Sequence, residues 1–326
     1  MFARFFHLAS AAVGLVVASG LAWAQDYPSR PITMVVGYAV GGPTDTLARI
    51  VAERMSRSLG ERVVIENVTG ASGSVGVGRV ARAAPDGYTI SVGDWSTHVV
   101  NGAIYRLSYD PFSDLRPVAR LPSNPMLLLA RIGVPADTLK DLIAWVKANS
   151  GNVSVGTSGA GSPPHIAAAY FRSITDTNFQ MLPYRGAAQT LLDMIAGRVD
   201  LSITQASFAW PHVREGKVKA YVVTAKRRWP VAPDIPTVAE AGLPGFYISV
   251  WRGLWAPRDT PVPVVAKLNS AVMDTLADPT VRYRLAEMGE EIPPREEQTP
   301  EALAALQRAE TERWWPIIKS LGIKSD

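Results

Sequence analysis

The sequence predicts an α/β protein folded as two domains around a shared cleft. Three observations predict it. The chain has 326 residues, enough for two cores behind a short leader. Short β-rich runs alternate with helical patterns along its length. Each half also carries a strand that runs into a glycine-rich loop, a proline and a helix.

Residues 1–24 read as an export signal. Arg4 supplies a positive start, residues 9–21 are apolar, and Ala22-Trp23-Ala24 is a small-x-small cleavage pattern. The mature chain is therefore expected to begin at Gln25. No later stretch offers about 18 uncharged apolar residues, so the mature protein is expected to be soluble.

Ile32–Val36 is expected to be a strand. Residues 44–59 place Leu47, Ile50, Val51 and Met55 on one helical face, with Gly60 just past the end. A strand over 62–65, a helix over 74–84 and strands over 88–92 and 126–130 follow, then a helix over Leu139–Ala148. The pattern then restarts with a strand over 152–156 and a helix over 163–173. Next come a strand over 179–183 and a helix over 187–196, closed by Gly197. Strands are expected over 200–203 and 219–224. Residues 247–255 form a long extended run suited to crossing between domains, and 264–321 read as mostly helical. The implied division is 25–124 with 249–326 as one domain and 125–248 as the other.

Composition excludes several classes. Without cysteine there are no disulfides, thiolate metal sites or cysteine nucleophiles. The formal charge is only +4, and Lys226-Arg227-Arg228 is the one dense basic run, so no nucleic-acid partner is expected. Past the leader, His98, His165 and His212 are scattered, with no metal-binding spacing, serine elbow or P-loop. Gly76 and Gly78 fit a loose dinucleotide fingerprint, but they lie about ten residues beyond the preceding strand instead of directly after it. No cofactor, metal or catalysis is expected.

The chemistry concentrates in two loops. The first contains Gly41, Gly42, Pro43, Thr44 and Asp45. The second contains Ser158, Gly159, Ala160, Gly161, Ser162 and Pro163. Each proline suits a first helical position, and Gly42 and Ser162 suit the caps. First-turn amides have no partner inside a helix, and the aligned peptide dipoles make that end positive. An anion fits there, and glycine lets it approach the backbone. In an open α/β sheet such loops line the crevice at the strand ends. Trp95, Ser96 and Thr97, then Arg185, then Thr204 and Gln205 follow other strands and are placed to reach the same cleft.

An ordered series of short motifs adds a family. Tyr27-Pro-Ser-Arg-Pro-Ile32, Gly41-Gly42-x-Thr44-Asp45 and Ala84-Pro-Asp-Gly-Tyr-Thr89 open it. Tyr109-Asp110-Pro111, Ser158-Gly159-x-Gly161 with His165, and Pro183-Tyr-Arg-Gly186 continue it. Pro236-Thr-Val-Ala-Glu-Ala-Gly242 and Trp251-x-Gly253-x-x-Ala256-Pro257 complete it. Together they closely resemble the substrate-binding receptors of tripartite tricarboxylate transporters, the Bug family. The resemblance implies a periplasmic-binding-protein type II fold, with two α/β domains closing on a ligand. It implies a small organic carboxylate held by backbone amides and waters of Val40–Asp45 and Ser158–Ser162. It also implies a periplasmic monomer that serves membrane permease subunits. A periplasmic sensor presenting its ligand to a signalling receptor would use the same fold.

The sequence departs from the family pattern at informative places. Gly37-Tyr38-Ala39-Val40 replaces Pro-Phe-Pro-Pro, and Asp94-Trp95-Ser96 replaces Ser-Ser-Gly. Thr204 stands at a commonly acidic position, and Arg252 where Phe is common. A tryptophan face can stack on an aromatic ring and an arginine can pair with a carboxylate. Trp95 and Arg252 are therefore expected to read the far end of an aromatic acid or a dicarboxylate, the alternative being that Trp95 packs at the cleft wall and Arg252 bonds to a surface acid.

Overall fold

The computed structural model describes residues 27–323, so the predicted export signal lies outside the described residues. A nearly continuous buried run rich in β-branched residues forms β1 (Ile32–Val36), which feeds helix α1 (Pro43–Leu59). Gly60, at φ 74°, ends that helix in a left-handed cap. Next come β2 (Val63–Asn67), α2 (Ser74–Ala81) and β3 (Thr89–Asp94). A π-helical turn over Ser96–Val100 runs into α3 (Asn101–Ile104). The long β4 (Leu115–Arg131) leads to α4 (Leu139–Ala148).

The second series is β5 (Ser154–Thr157), α5 (Pro163–Thr175), β6 (Gln180–Pro183) and α6 (Ala187–Ile195). It continues with β7 (Leu201–Gln205), α7 (Ala206–Arg214) and β8 (Val218–Val223). The chain then returns through β9 (Ser249–Pro257) and finishes with α8 (Val262–Ala277), α9 (Pro279–Glu287) and α10 (Pro300–Ser320). No helix among the described residues is long and apolar enough to cross a membrane.

The strands form one path in the order β2-β1-β3-β9-β4-β7-β5-β6, with β8 also on β4. β1 pairs in parallel with β2 and β3, and β5 in parallel with β6 and β7. Each of these groups is an open α/β half, and β4 joins them. Its first part, up to Pro125, pairs with β9; its second part, from Met126, pairs with β7 and β8. The return crossing is as sharp: Ile248 still bonds to Thr224, while Ser249 already pairs with Pro125.

One core lies between β1, α1, β9 and α8, and a smaller one around Leu129, Met194 and Trp229. A third runs through both halves and includes Trp95, Phe171, Phe246 and Trp314. Trp314 of α10 meets Trp95 edge-on at 4.9 Å and Tyr170 of α5 at 5.4 Å, so an apolar seam ties the two halves together.

The structure differs from the expected elements in three places. β4 begins at Leu115, well before residue 126, although Pro117, Pro122 and Pro125 interrupt it. Proline cannot donate to a ladder, and the register slips between Pro117 and Ala119 and again between Leu121 and Asn124. Residues 206–214 form a helix despite Pro211 inside it. Residues 82–84 leave α2, which ends at Ala81.

Candidate ligand site

Loop one connects β1 to α1. Gly42 is the cap residue, at φ −74° and ψ 168°, with no side-chain cap bond. The first intrahelical bond runs from Thr46 N–H to the Gly42 carbonyl at 2.9 Å. The Thr44 and Asp45 amides ahead of it have no helical acceptor. Asp45 organises the loop: its carboxylate accepts from Gly41 N–H at 2.8 Å, Asn67 Nδ2 at 2.8 Å and Arg49 Nε at 2.9 Å. Burial raises the Asp45 carboxyl, but hydrogen bonds from Arg49, Gly41 and Asn67 outweigh it and leave it below its ordinary value. Asp45 therefore positions the loop, while Val40 projects into solvent.

Loop two is built from its own atoms. Gly159 and Gly161 take φ of 92° and 73°, the left-handed region that favours glycine. Ser162 Oγ donates to the Gly159 carbonyl at 2.7 Å and accepts from His165 N–H at 3.4 Å. His165 Nδ1 accepts from Gly161 N–H at 3.0 Å, so that nitrogen carries no proton. Burial, with Arg172 nearby, holds His165 below its ordinary pKa and keeps it neutral. Ser158 and Gly159 are half-buried and Ala160 is exposed.

Loop two meets the first half through residues outside loop one. Ser72 Oγ and Tyr105 OH donate to the Ala160 carbonyl at 2.7 and 3.0 Å, and Ser96 Oγ donates to the Gly161 carbonyl at 2.9 Å. Ala71 and Ser72 hold φ of 43° and 49°, strained for residues with a Cβ. That strain aims the Ser72 hydroxyl at loop two. Depressions of about 400 and 310 Å³ beside α9 lie away from both loops and include none of the predicted site residues.

A buried polar group lies against loop one. Arg252 on β9 is directly opposite Asp94 on β3. Its guanidinium is fully buried and pairs with Glu290 at 2.9 Å. It also donates to Gln205 Oε1 at the end of β7, to Thr44 Oγ1 at 3.4 Å and to the Pro122 carbonyl at 3.5 Å. This corrects the expectation for Arg252. Its charge is already met by Glu290, so it is an internal strut that ties loop one to the second half. Burial pushes the Glu290 carboxyl up against the pull of Arg252.

Asp94 Oδ1 accepts from Tyr38 OH at 2.9 Å, Thr97 N–H at 3.0 Å and Thr97 Oγ1 at 3.2 Å. Burial raises the Asp94 carboxyl, and Thr97, Tyr38 and Arg252 oppose that rise. Trp95 also needs correction as a stacking face for a ligand. It is 0 % exposed and edge-on to Trp314, because the core that seals the halves claims its ring. Arg185 is exposed, with no hydrogen bond or ion pair among the described residues, and Thr204 is buried on β7 opposite Leu127. Sequence reasoning missed Tyr38, Ser72, Tyr105 and Glu290 as parts of this arrangement. Tyr38 was visible as a departure from the family pattern, while Glu290 gave no local signal.

His98, beneath the site, yields a pH prediction. Its ring stacks on Trp255 at 3.6 Å, and Nδ1 lies 2.9 Å from Thr97 Oγ1. Burial, opposed by a backbone bond at Asp94, lowers its pKa to about 3. The unfolded chain takes up this proton near pH 6.5, and the folded chain does not. The stabilisation from His98 is thus complete above about pH 6.5 and lost as pH falls toward 3, by up to about 1.4 kcal/mol per pH unit. Urea unfolding at pH 7, 6 and 5 is expected to show a steeper loss of stability in the parent than in His98→Gln. Equal slopes would show that His98 charges freely in the folded state.

Comparison with known proteins agrees with this fold. The sequence model of the tripartite tricarboxylate transporter family receptor matches residues 47–323. A UPF0065 protein of Agrobacterium vitis is 38 % identical over 94 % of this chain and 90 % of its own. MatC from Rhodopseudomonas palustris, solved with bound malate, is 42 % identical with a TM-score of 0.85, covering 90 % of this chain and all of its own. A second R. palustris protein, solved with adipate, is 34 % identical with a TM-score of 0.86, over 92 % of this chain and all of its own. With two α/β halves and this match over most of its length, the chain belongs to the family of tripartite tricarboxylate transporter receptors, a family of periplasmic solute-binding proteins.

Proposed function

We propose that this chain is an exported receptor that closes over a small organic carboxylate and presents it to the permease subunits of a tripartite tricarboxylate transporter. One observation carries the reading. Each half carries one strand–loop–helix unit, and the helix of loop one opens with amides that no side chain caps, while loop two is hydrogen-bonded to the first half through Ser72 and Ser96. An anion completes such a terminus, and the glycines admit it to the backbone. The relatives solved with malate and adipate support an organic acid as that anion.

In this reading residues 25–124 with 249–326 form one lobe and 125–248 the other. The crossings at Asn124–Pro125 and Ile248–Ser249 support that division. Residues 1–24 direct export to the periplasm and are removed, and the mature receptor acts as a monomer without turnover. The ligand favours the closed arrangement because it binds that arrangement better.

Thermal unfolding of the mature chain against a panel of mono- and dicarboxylic acids tests the proposal. A true ligand at 100 times its Kd adds about 2.7 kcal/mol of stability, a shift of several degrees. No stabilisation by any carboxylate, set against a shift by a sugar or a cation, would overturn it.

A further inference from the structure

Loop two has already spent the donors that a helix terminus offers to an anion. Pro163 and Pro164 fill the first two positions of α5 and carry no N–H. His165 N–H bonds to Ser162 Oγ at 3.4 Å, and Ile166 N–H to the Ser162 carbonyl at 3.0 Å. Ahead of the helix, Ser162 N–H bonds to the Gly159 carbonyl at 3.2 Å and Gly161 N–H to His165 Nδ1 at 3.0 Å. Every amide from Gly161 to Ile166 is therefore used or missing. Loop one differs, because its Thr44 and Asp45 amides have no helical acceptor and no side-chain cap.

What loop two turns toward the first half is carbonyl oxygen. Ser72 Oγ and Tyr105 OH converge on the Ala160 carbonyl, and Ser96 Oγ takes the Gly161 carbonyl. The Ala160–Gly161 peptide is thus pinned at both ends, by the two hydroxyls on its oxygen and by His165 on its N–H. The donors are set as firmly. Asn101 Nδ2 donates to the Ser72 carbonyl at 3.0 Å and to Ser74 Oγ at 2.8 Å, which holds the strained turn in place. The fit is close as well: a Cβ on Gly161 would come within 3.1 Å of the Tyr105 ring and 3.5 Å of Ser72 Oγ.

Building on the reading of a two-lobed carboxylate receptor, we propose that loop two is the catch of a closure latch. Ser72, Tyr105 and Ser96 fasten the first half to its Ala160 and Gly161 carbonyls and so set how long the ligand stays, while the carboxylate is held from loop one. Every atom of the latch belongs to the protein and none carries a formal charge. It therefore forms with or without an acid in the cleft and acts alike on every acid enclosed there.

Two measurements test this. The chain has no cysteine, so Leu192→Cys and Val262→Cys, at exposed positions on the second and first halves, give one defined pair for spin labels. Pulsed electron resonance on the acid-free mature protein is expected to show a narrow distance distribution. It is expected to shift and broaden in the triple variant Ser72→Ala, Tyr105→Phe, Ser96→Ala. Stopped-flow binding of malate and of adipate is expected to show dissociation at least tenfold faster in the triple variant, with association within threefold of the parent. The factor should be the same for both acids. Tenfold corresponds to about 1.4 kcal/mol, the net contribution of about one hydrogen bond. Tyr105→Phe alone, which keeps the ring, repeats both measurements should the triple variant fail to fold, with an expected threefold effect on dissociation.

Unchanged distances, or unchanged dissociation of an acid that binds, would overturn the latch and leave the carboxylate reading standing. So would faster loss of one acid and not the other, which would show that the hydroxyls touch the ligand itself. Should neither acid bind, the distances still decide the latch, and the wider acid panel decides the carboxylate reading.

Discussion

Replacing Arg252 with alanine is expected to destabilise the protein by about 3–5 kcal/mol, the cost of leaving one member of a buried ion pair alone. Glu290 is also fully buried, and its Oε1 already has no partner among the described residues. Without Arg252 it would have to take up a proton or stay charged in an apolar setting. Gln205 and Thr44 would lose a donor at the same time, so the second half would lose its polar link to loop one. Guanidinium unfolding should show the loss as a lower midpoint with an unchanged slope. The double variant Arg252→Met with Glu290→Leu is expected to recover most of it, because removing both charges also removes their desolvation cost. A single variant within 1 kcal/mol of the parent would mean that water reaches the pair and screens it.

The same residue shows where sequence reasoning stopped. Both glycine loops were legible because their chemistry is local: a strand, a left-handed glycine, a proline at the first helical position and a helix all lie within about ten residues. The helices with strong apolar faces, such as Leu139–Ala148, were read with their bounds intact. The partners that set the roles of the loops are remote. Arg252 and Glu290 are 38 residues apart, Tyr38 and Asp94 56, Ser72 and Ala160 88. No pattern of periodicity or spacing encodes such pairs. Trp95 and Arg252 were recognised as unusual, but whether a large or charged side chain faces a ligand depends on what else competes for it. Trp314 took the first and Glu290 the second. The first part of β4 was hidden for another reason. Its prolines argue against a strand, and only the register slips that accommodate them, opposite β9, make it one.

Gly42→Val is expected to weaken ligand binding by at least about a hundredfold while changing stability by about 1 kcal/mol or less. The glycine sits at φ −74°, which valine adopts without strain, and a Cβ there would approach only the Ala39 carbonyl, at 3.5 Å. Nothing in the protein resists the new side chain beyond the modest preference of helix caps for small or polar residues. A bound anion would resist it, because the methyl groups would stand beside the free Thr44 and Asp45 amides where an oxygen has to approach. Charge-assisted hydrogen bonds contribute about 1.5–3 kcal/mol each, and a hundredfold in affinity is about 2.7 kcal/mol, so displacing one or two such bonds accounts for the loss. Gly41 is the contrasting position. At φ 82° it has open space around it but a backbone that valine does not tolerate, so Gly41→Val should lower the melting temperature as well as the affinity. Calorimetry and thermal unfolding on the two variants separate the effects. Affinity loss without instability at Gly42 would place the anion at the start of α1, and unchanged affinity there would reduce loop one to a turn.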